Sequence, residues 1–222
     1  WKSEKMPILV FVKPGTGLNG YKDNFDGILK QSFAQWSDVS GGKVAFKFTT
    51  DPSQASISCA WTDSNDTIDR SEEGLALPKV SDMGELQGVE ILMLTDFPEQ
   101  SEGTTDDHVR GICLHEVGHA LGLDHSSQPG DVMFGGASSV AALSERDKKT
   151  LFSLYAAPDS FLTSHPMRFD KVTGNQLDPK IQQMNFNNQG IADAKAGNFS
   201  RAITNFEAAL RLAPGDSSIS TN

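Results

Sequence analysis

Apolar and polar residues alternate along the first half of the chain in blocks whose period changes, and each change marks an element. Ile8 to Val12 (ILVFV) is a continuous apolar run of the length of a buried strand. Phe25, Ile28, Leu29, Phe33 and Trp36 then recur at spacings of three and four, the stripe of an amphipathic helix, and Gly41 and Gly42 follow as breakers. VAFKF alternates as a strand, TTDPSQ turns, and ASISCAW alternates again, with Ala55, Ile57, Cys59 and Trp61 on one side. VEILMLT (Val89 to Thr95) reads as a fourth strand, and Thr62 to Gly88 before it reads as irregular. A strand–helix–strand opening followed by further strands predicts an α+β fold, a mixed twisted sheet with helices packed on it.

The next period is again helical and carries unusual chemistry. Residues 115 to 125 read HEVGHALGLDH and hold three of the chain's five histidines. On a helix His115 and His119 lie one turn apart on a single face, where both imidazoles reach one ion. Glu116 falls at the edge of that face, close enough to take a proton from water at the metal without being a ligand. Gly122 can take the left-handed conformation that ends helices, so that His125 returns as a third ligand. Three protein ligands leave a coordination position open, as catalytic zinc requires. Coincidence would give this five-residue pattern in very roughly one chain in a hundred thousand. Val109, Cys113, Val117, Ala120 and Leu121 form the opposite, apolar stripe, and Thr104 or Thr105 can cap the helix ahead of Asp106 and Asp107.

These residues resemble the signature of the metzincin zinc endopeptidases, HExxHxxGxxH followed by a methionine-containing turn. DVM places Met133 at that turn, and Ser126 after the third histidine is similar to the matrixin branch. LSERDKKTLFSLY (Leu143 to Tyr155) resembles the matrixin C-terminal helix, and Asp147 matches an aspartate that holds the Met-turn region. The resemblance implies a zincin-like domain over residues 1–158 whose fourth strand is an antiparallel edge that pairs with an extended substrate. It implies one catalytic zinc on His115, His119 and His125, Glu116 as general base, and Met133 as a hydrophobic floor. The structural zinc of many matrixins is not carried over, because Thr62 to Gly88 contains no histidine. Asp63, Asp66 and Asp69 leave Ca2+ open beside the plainer reading of solvated loop acids.

Composition narrows the setting. The formal charge is −10, and residues 1–158 hold 13 Lys and Arg against 23 Asp and Glu, which argues against nucleic acid as a partner. An acidic cleft selecting basic substrates or calcium stands against a solvated acidic surface. No apolar run approaches a membrane span. The chain opens at Trp1 without Met or a signal peptide, as expected of a mature or cut chain, and a secreted, periplasmic or envelope-facing location goes with the family. Cys59 and Cys113 both point inward on their elements, as two buried thiols or as a disulfide, and neither is placed as a nucleophile.

Beyond Tyr155 the helical period stops. Residues 159–182 read as a linker that includes His165, a surface histidine rather than a ligand. Residues 183–216 resemble a single tetratricopeptide repeat, with Gly190, Gly197, Phe199, Ala202, Phe206, Ala209 and Pro214 in place and a departure at Asp193; residues 217–222 form a polar tail. A lone helix pair leaves Ile191, Ile203, Leu210 and Leu212 to be covered, which implies a protein partner or self-association. The sequence therefore carries three function classes: a metalloendopeptidase with a polypeptide substrate, a repeat-bearing scaffold whose zinc site is vestigial, and a zinc-dependent hydrolase acting on something other than peptide, which the edge-strand pattern disfavours. Glu116 favours the first, because holding zinc needs only the histidines.

Overall fold

The structure is a computed structural model and describes residues 1–64, 68, 72–81, 85–97, 104–136, 139–156 and 203. The chain divides into two units, Trp1–Pro166 and Met167–Asn222. The linker, the repeat, the polar tail, His165, Asp66 and Asp69 lie outside the described residues, apart from Ile203, which is helical and exposed.

In the first unit, β1 (Ile8–Val12), α1 (Phe25–Val39), β2 (Phe46–Phe48), β3 (Ile57–Thr62), β4 (Gly74–Val80) and β5 (Leu86–Leu94) precede α2 (Asp106–Ala120) and α3 (Glu145–Ala156). The strands form one mixed sheet in the order β2-β1-β3-β5-β4. Four are parallel, and β4 alone runs antiparallel, against β5. This is the mixed sheet with packed helices that the hydrophobic pattern predicts.

Two expectations need correction. The segment read as irregular contains β4, and the strand read at Val89 to Thr95 is not the edge: Val89 to Leu94 belong to β5, an interior strand parallel to β3. The antiparallel edge is β4. Its sequence, GLALPKV, begins with Gly74 and contains Pro78, both turn signals by composition. An edge strand tolerates proline because an outward N–H has no ladder partner to lose.

The core follows the stripes. Phe25, Ile28, Leu29, Phe33 and Trp36 of α1 are all buried, each contributing about 1.5–3 kcal/mol if fully removed from water. Ile57, Cys59 and Trp61 are the inward side of β3, as the alternation predicts. Val109, Cys113, Val117 and Ala120 bury the apolar face of α2, which packs on α1, β4 and β5. The Trp36 indole N–H donates to the Leu114 carbonyl at 2.9 Å, locking α1 to α2. Cys59 and Cys113 are free thiols, both buried, and burial pushes both pKa values up, so neither is a reactive thiolate.

Candidate active site

Helix α2 is capped by Thr105, whose hydroxyl accepts the His108 N–H at 3.2 Å. Asp106 and Asp107 occupy the first turn, beside the positive end of the helix dipole. The other end is a Schellman turn: Leu123 N–H donates to the Gly118 carbonyl at 3.0 Å and Gly122 N–H to that of His119 at 2.8 Å. That closure needs a left-handed residue, and Gly122 has φ +91°. Two side chains cap the carbonyls beside the turn, the Trp1 indole N–H donating to Ala120 at 2.8 Å and the Tyr155 hydroxyl to Leu121 at 3.0 Å. The chain thus leaves the helix in a fixed direction and carries His125 back.

The three histidines converge. Their Nε2 atoms stand 3.0 Å (His115–His119), 3.2 Å (His115–His125) and 3.1 Å (His119–His125) apart. Nitrogens sharing one tetrahedral zinc at about 2.0–2.1 Å stand about 3.3 Å apart, so the spacing is close to that of a ligand set. His115 Nδ1–H donates to the Val132 carbonyl at 2.7 Å and His119 Nδ1–H to that of Leu123 at 2.9 Å. In those tautomers both Nε2 atoms hold lone pairs aimed at one point, an arrangement that repels itself without a cation. The donor set fits a dication. Burial first, and the neighbouring imidazoles after it, lower the pKa of His115 to about 4 and that of His119 well below the usual histidine range.

Glu116 lies beside this cluster, buried, with Oε2 lacking a hydrogen-bond partner. Burial raises its pKa to about 8, and the negative charge of Glu72 adds to the shift. Its carboxyl fills space that only a glycine leaves open: a Cβ on Gly74 would stand 2.6 Å from Glu116 Cγ and Oε1. A buried carboxyl oxygen without a partner is costly, and such groups concentrate at functional sites.

The floor is built from the turn after His125. Ser126 N–H donates to the Met133 carbonyl at 2.6 Å, bringing the two segments together. Met133 is buried under α2, and a Cβ on Gly118 would meet its sulfur at 2.2 Å. Asp147, at the start of α3, reaches into the turn: Oδ2 accepts the N–H groups of Val132 and Ser144, each at 2.9 Å, and Oδ1 that of Met133 at 3.4 Å. Because the Val132 carbonyl holds His115, Asp147 acts on a histidine through one residue. A second carboxylate, Asp131, accepts from the hydroxyls of Ser126 at 2.5 Å and Ser144 at 2.6 Å and pairs with Arg146 at 2.9 Å.

His115, Glu116, His119, Gly122, His125, Met133 and Asp147 are therefore together. Asp63 is apart from them and accepts the Asn19 N–H at 2.9 Å. Among the described residues, the three histidines are the one grouping of side chains with metal-ligand spacing. Residue-by-residue reading missed Trp1, Gly74, Asp131 and Tyr155. Only Asp131 had a local signal, since it lies within the DVM turn itself.

The family model described as Matrixin matches residues 17–156. Macrophage metalloelastase of Oryctolagus cuniculus is 33% identical over 84 residues, which cover 30% of this chain and 18% of that protein. The chain thus spans less than a fifth of the length of that relative.

Proposed function

This chain belongs to the matrixin family, and from that premise we propose that it is a zinc-dependent endopeptidase whose chemistry rests on His115, Glu116, His119 and His125. His115, His119 and His125 would hold the metal, which when bound supplies Lewis acidity toward water and the scissile carbonyl. Glu116 takes the proton of the attacking water and hands it to the departing amine. Its buried position suits this, because a carboxyl held away from solvent returns a proton readily near neutral pH. Met133 and Asp147 keep the imidazoles in place, and Gly122 aims His125. The substrate is a polypeptide laid in extended form along β4, next to Glu116.

The observation that carries this reading is the convergence of three Nε2 atoms within 3.2 Å of one another beside a buried carboxyl whose Oε2 has no hydrogen-bond partner among the described residues. A scaffold with a vestigial site has no use for that carboxyl. Residues 183–216 are, in this reading, a module that recruits a protein partner outside the chemistry, and a secreted or envelope-facing location accompanies it. Digestion of unfolded casein tests the activity: cleavage that stops with a chelator and returns with zinc supports the proposal, and cleavage indifferent to the chelator contradicts it.

A further inference from the structure

The outer edge of β4 has its own pattern of donors and acceptors. In an antiparallel pair alternate residues turn both backbone groups toward the partner strand. Leu94 donates its N–H to the Glu73 carbonyl at 2.9 Å, so Glu73 is an inward residue, and the register Gly74–Met93, Ala76–Ile91, Pro78–Val89 makes Leu75, Leu77 and Lys79 inward too. The irregularity after Lys79 leaves the alternation on β4 intact: Lys79 faces Gly88 and Val80 faces Leu86, so the extra residue, Gln87, is on β5. Ser81 again bonds inward, to the Glu85 carbonyl at 2.9 Å. Gly74, Ala76, Pro78 and Val80 thus turn their backbone groups outward, to the side on which no strand pairs with β4 among the described residues.

One outward position has no donor. Pro78 lacks an N–H, and its ring occupies the direction in which a paired strand would bring a carbonyl. The strand also has a polarity relative to the site. Gly74 abuts Glu116, and the chain then leads away toward Pro78 and Val80. Antiparallel pairing is the more stable per residue, and a peptide so aligned runs, N to C, from the Val80 end toward Glu116. The residue facing Pro78 therefore lies N-terminal to the scissile bond.

We propose that Pro78 is a specificity-determining residue: it ends backbone pairing on the N-terminal side of the cleavage site, so that the preferred substrate is a polypeptide extended only over the few residues facing Gly74 to Ala76. This rests on the endopeptidase reading and says which part of the substrate the edge recognises. Substrate residues upstream of Ala76 contribute little through their backbone, and a chain that bends away there is accepted as well as one that stays extended.

The test uses zinc-loaded full-length protein and a series of peptides ending in a C-terminal hydroxamate, which anchors the end at the metal and fixes the register, lengthened one residue at a time at the N-terminus. Calorimetric Kd should tighten until the peptide reaches Ala76 and then level off. In Pro78→Ala the restored N–H should improve the ratio of long-peptide to short-peptide affinity by about two- to tenfold, the worth of one net hydrogen bond. Pro78→Val serves as a second variant, since valine suits a strand. Affinity that keeps rising past Pro78 in the parent protein, a ratio unchanged in both variants, or no binding at all would overturn the proposal. Failure of the endopeptidase reading shows separately, as casein left uncut by a protein that still gives this length profile.

Discussion

Asp147→Asn should weaken both the fold and the metal site, although Asp147 touches no histidine. The side chain is buried and receives three backbone N–H groups, two of them on Oδ2 at 2.9 Å. Asparagine keeps the volume, so no cavity term enters. In its better orientation the amide oxygen replaces Oδ2, and two charge-assisted bonds of about 1.5–3 kcal/mol become neutral bonds of about 0.5–1.5 kcal/mol. The amide NH2 then replaces Oδ1 and faces the Met133 N–H, donor against donor, which costs about 1 kcal/mol more. The expected loss is about 3–4 kcal/mol, a fall in Tm of about 6–16 °C for a chain of this size. Because Val132 links Asp147 to His115, zinc affinity should drop about tenfold as well, as for loss of other groups that orient a ligand. The assay is a chemical-denaturation curve on the metal-free protein and a competition titration with a zinc chelator. Glu145→Gln, an exposed position on the same helix turn that pairs with Lys148, is the control and should leave stability close to that of the parent. An Asp147→Asn protein as stable as this control would refute the reasoning.

Two further outcomes follow from the same geometry, and a third from the proposed division of the chain. In metal-free protein, Glu116, with its pKa raised to about 8 from an ordinary 4.5, adds stability that is fully present below pH 4.5 and lost as the pH rises through 8; His115, lowered to about 4, and His119 work the other way, losing stability as the pH falls below 6.5. Melting curves with chelator present should show the parent protein losing ground to Glu116→Gln between pH 4.5 and 8, and a gain would contradict the burial argument. Gly118→Ala should destabilise despite a helix-propensity gain of about 1 kcal/mol, because the new methyl meets the buried Met133 sulfur and overpacking costs about 1–3 kcal/mol; a higher Tm would show that the floor yields. Removing everything after Pro158 should leave Tm and short-peptide turnover near those of the full chain, and a large drop in either would make residues 159–222 part of the catalytic unit.

The site was legible where chemistry and spacing coincide in sequence. His115, Glu116 and His119 share one helix, and a left-handed glycine followed by a returning histidine is a local signal, so this part of the geometry could be read without coordinates. The hydrophobic stripes of α1 and the alternation in β3 were legible for the same reason: burial acts at a fixed period. β4 was not, because an edge strand needs few apolar residues and tolerates Gly74 and Pro78, whose composition is that of a turn. Gly74, Trp1 and Tyr155 were illegible for another reason: each acts on a residue 34 or more positions away, and nothing in their neighbours marks that contact. The third histidine was legible, but what steadies it was not.

The most direct test of the central claim is Glu116→Gln, prepared beside the parent protein, with zinc content and casein turnover measured on the same samples. Glutamine fits the space against Gly74 and cannot take a proton from water, while the three histidines are untouched. The account predicts about one zinc per chain in both proteins and turnover in the variant lower by on the order of a hundredfold or more. Near-parental turnover with zinc bound would contradict it.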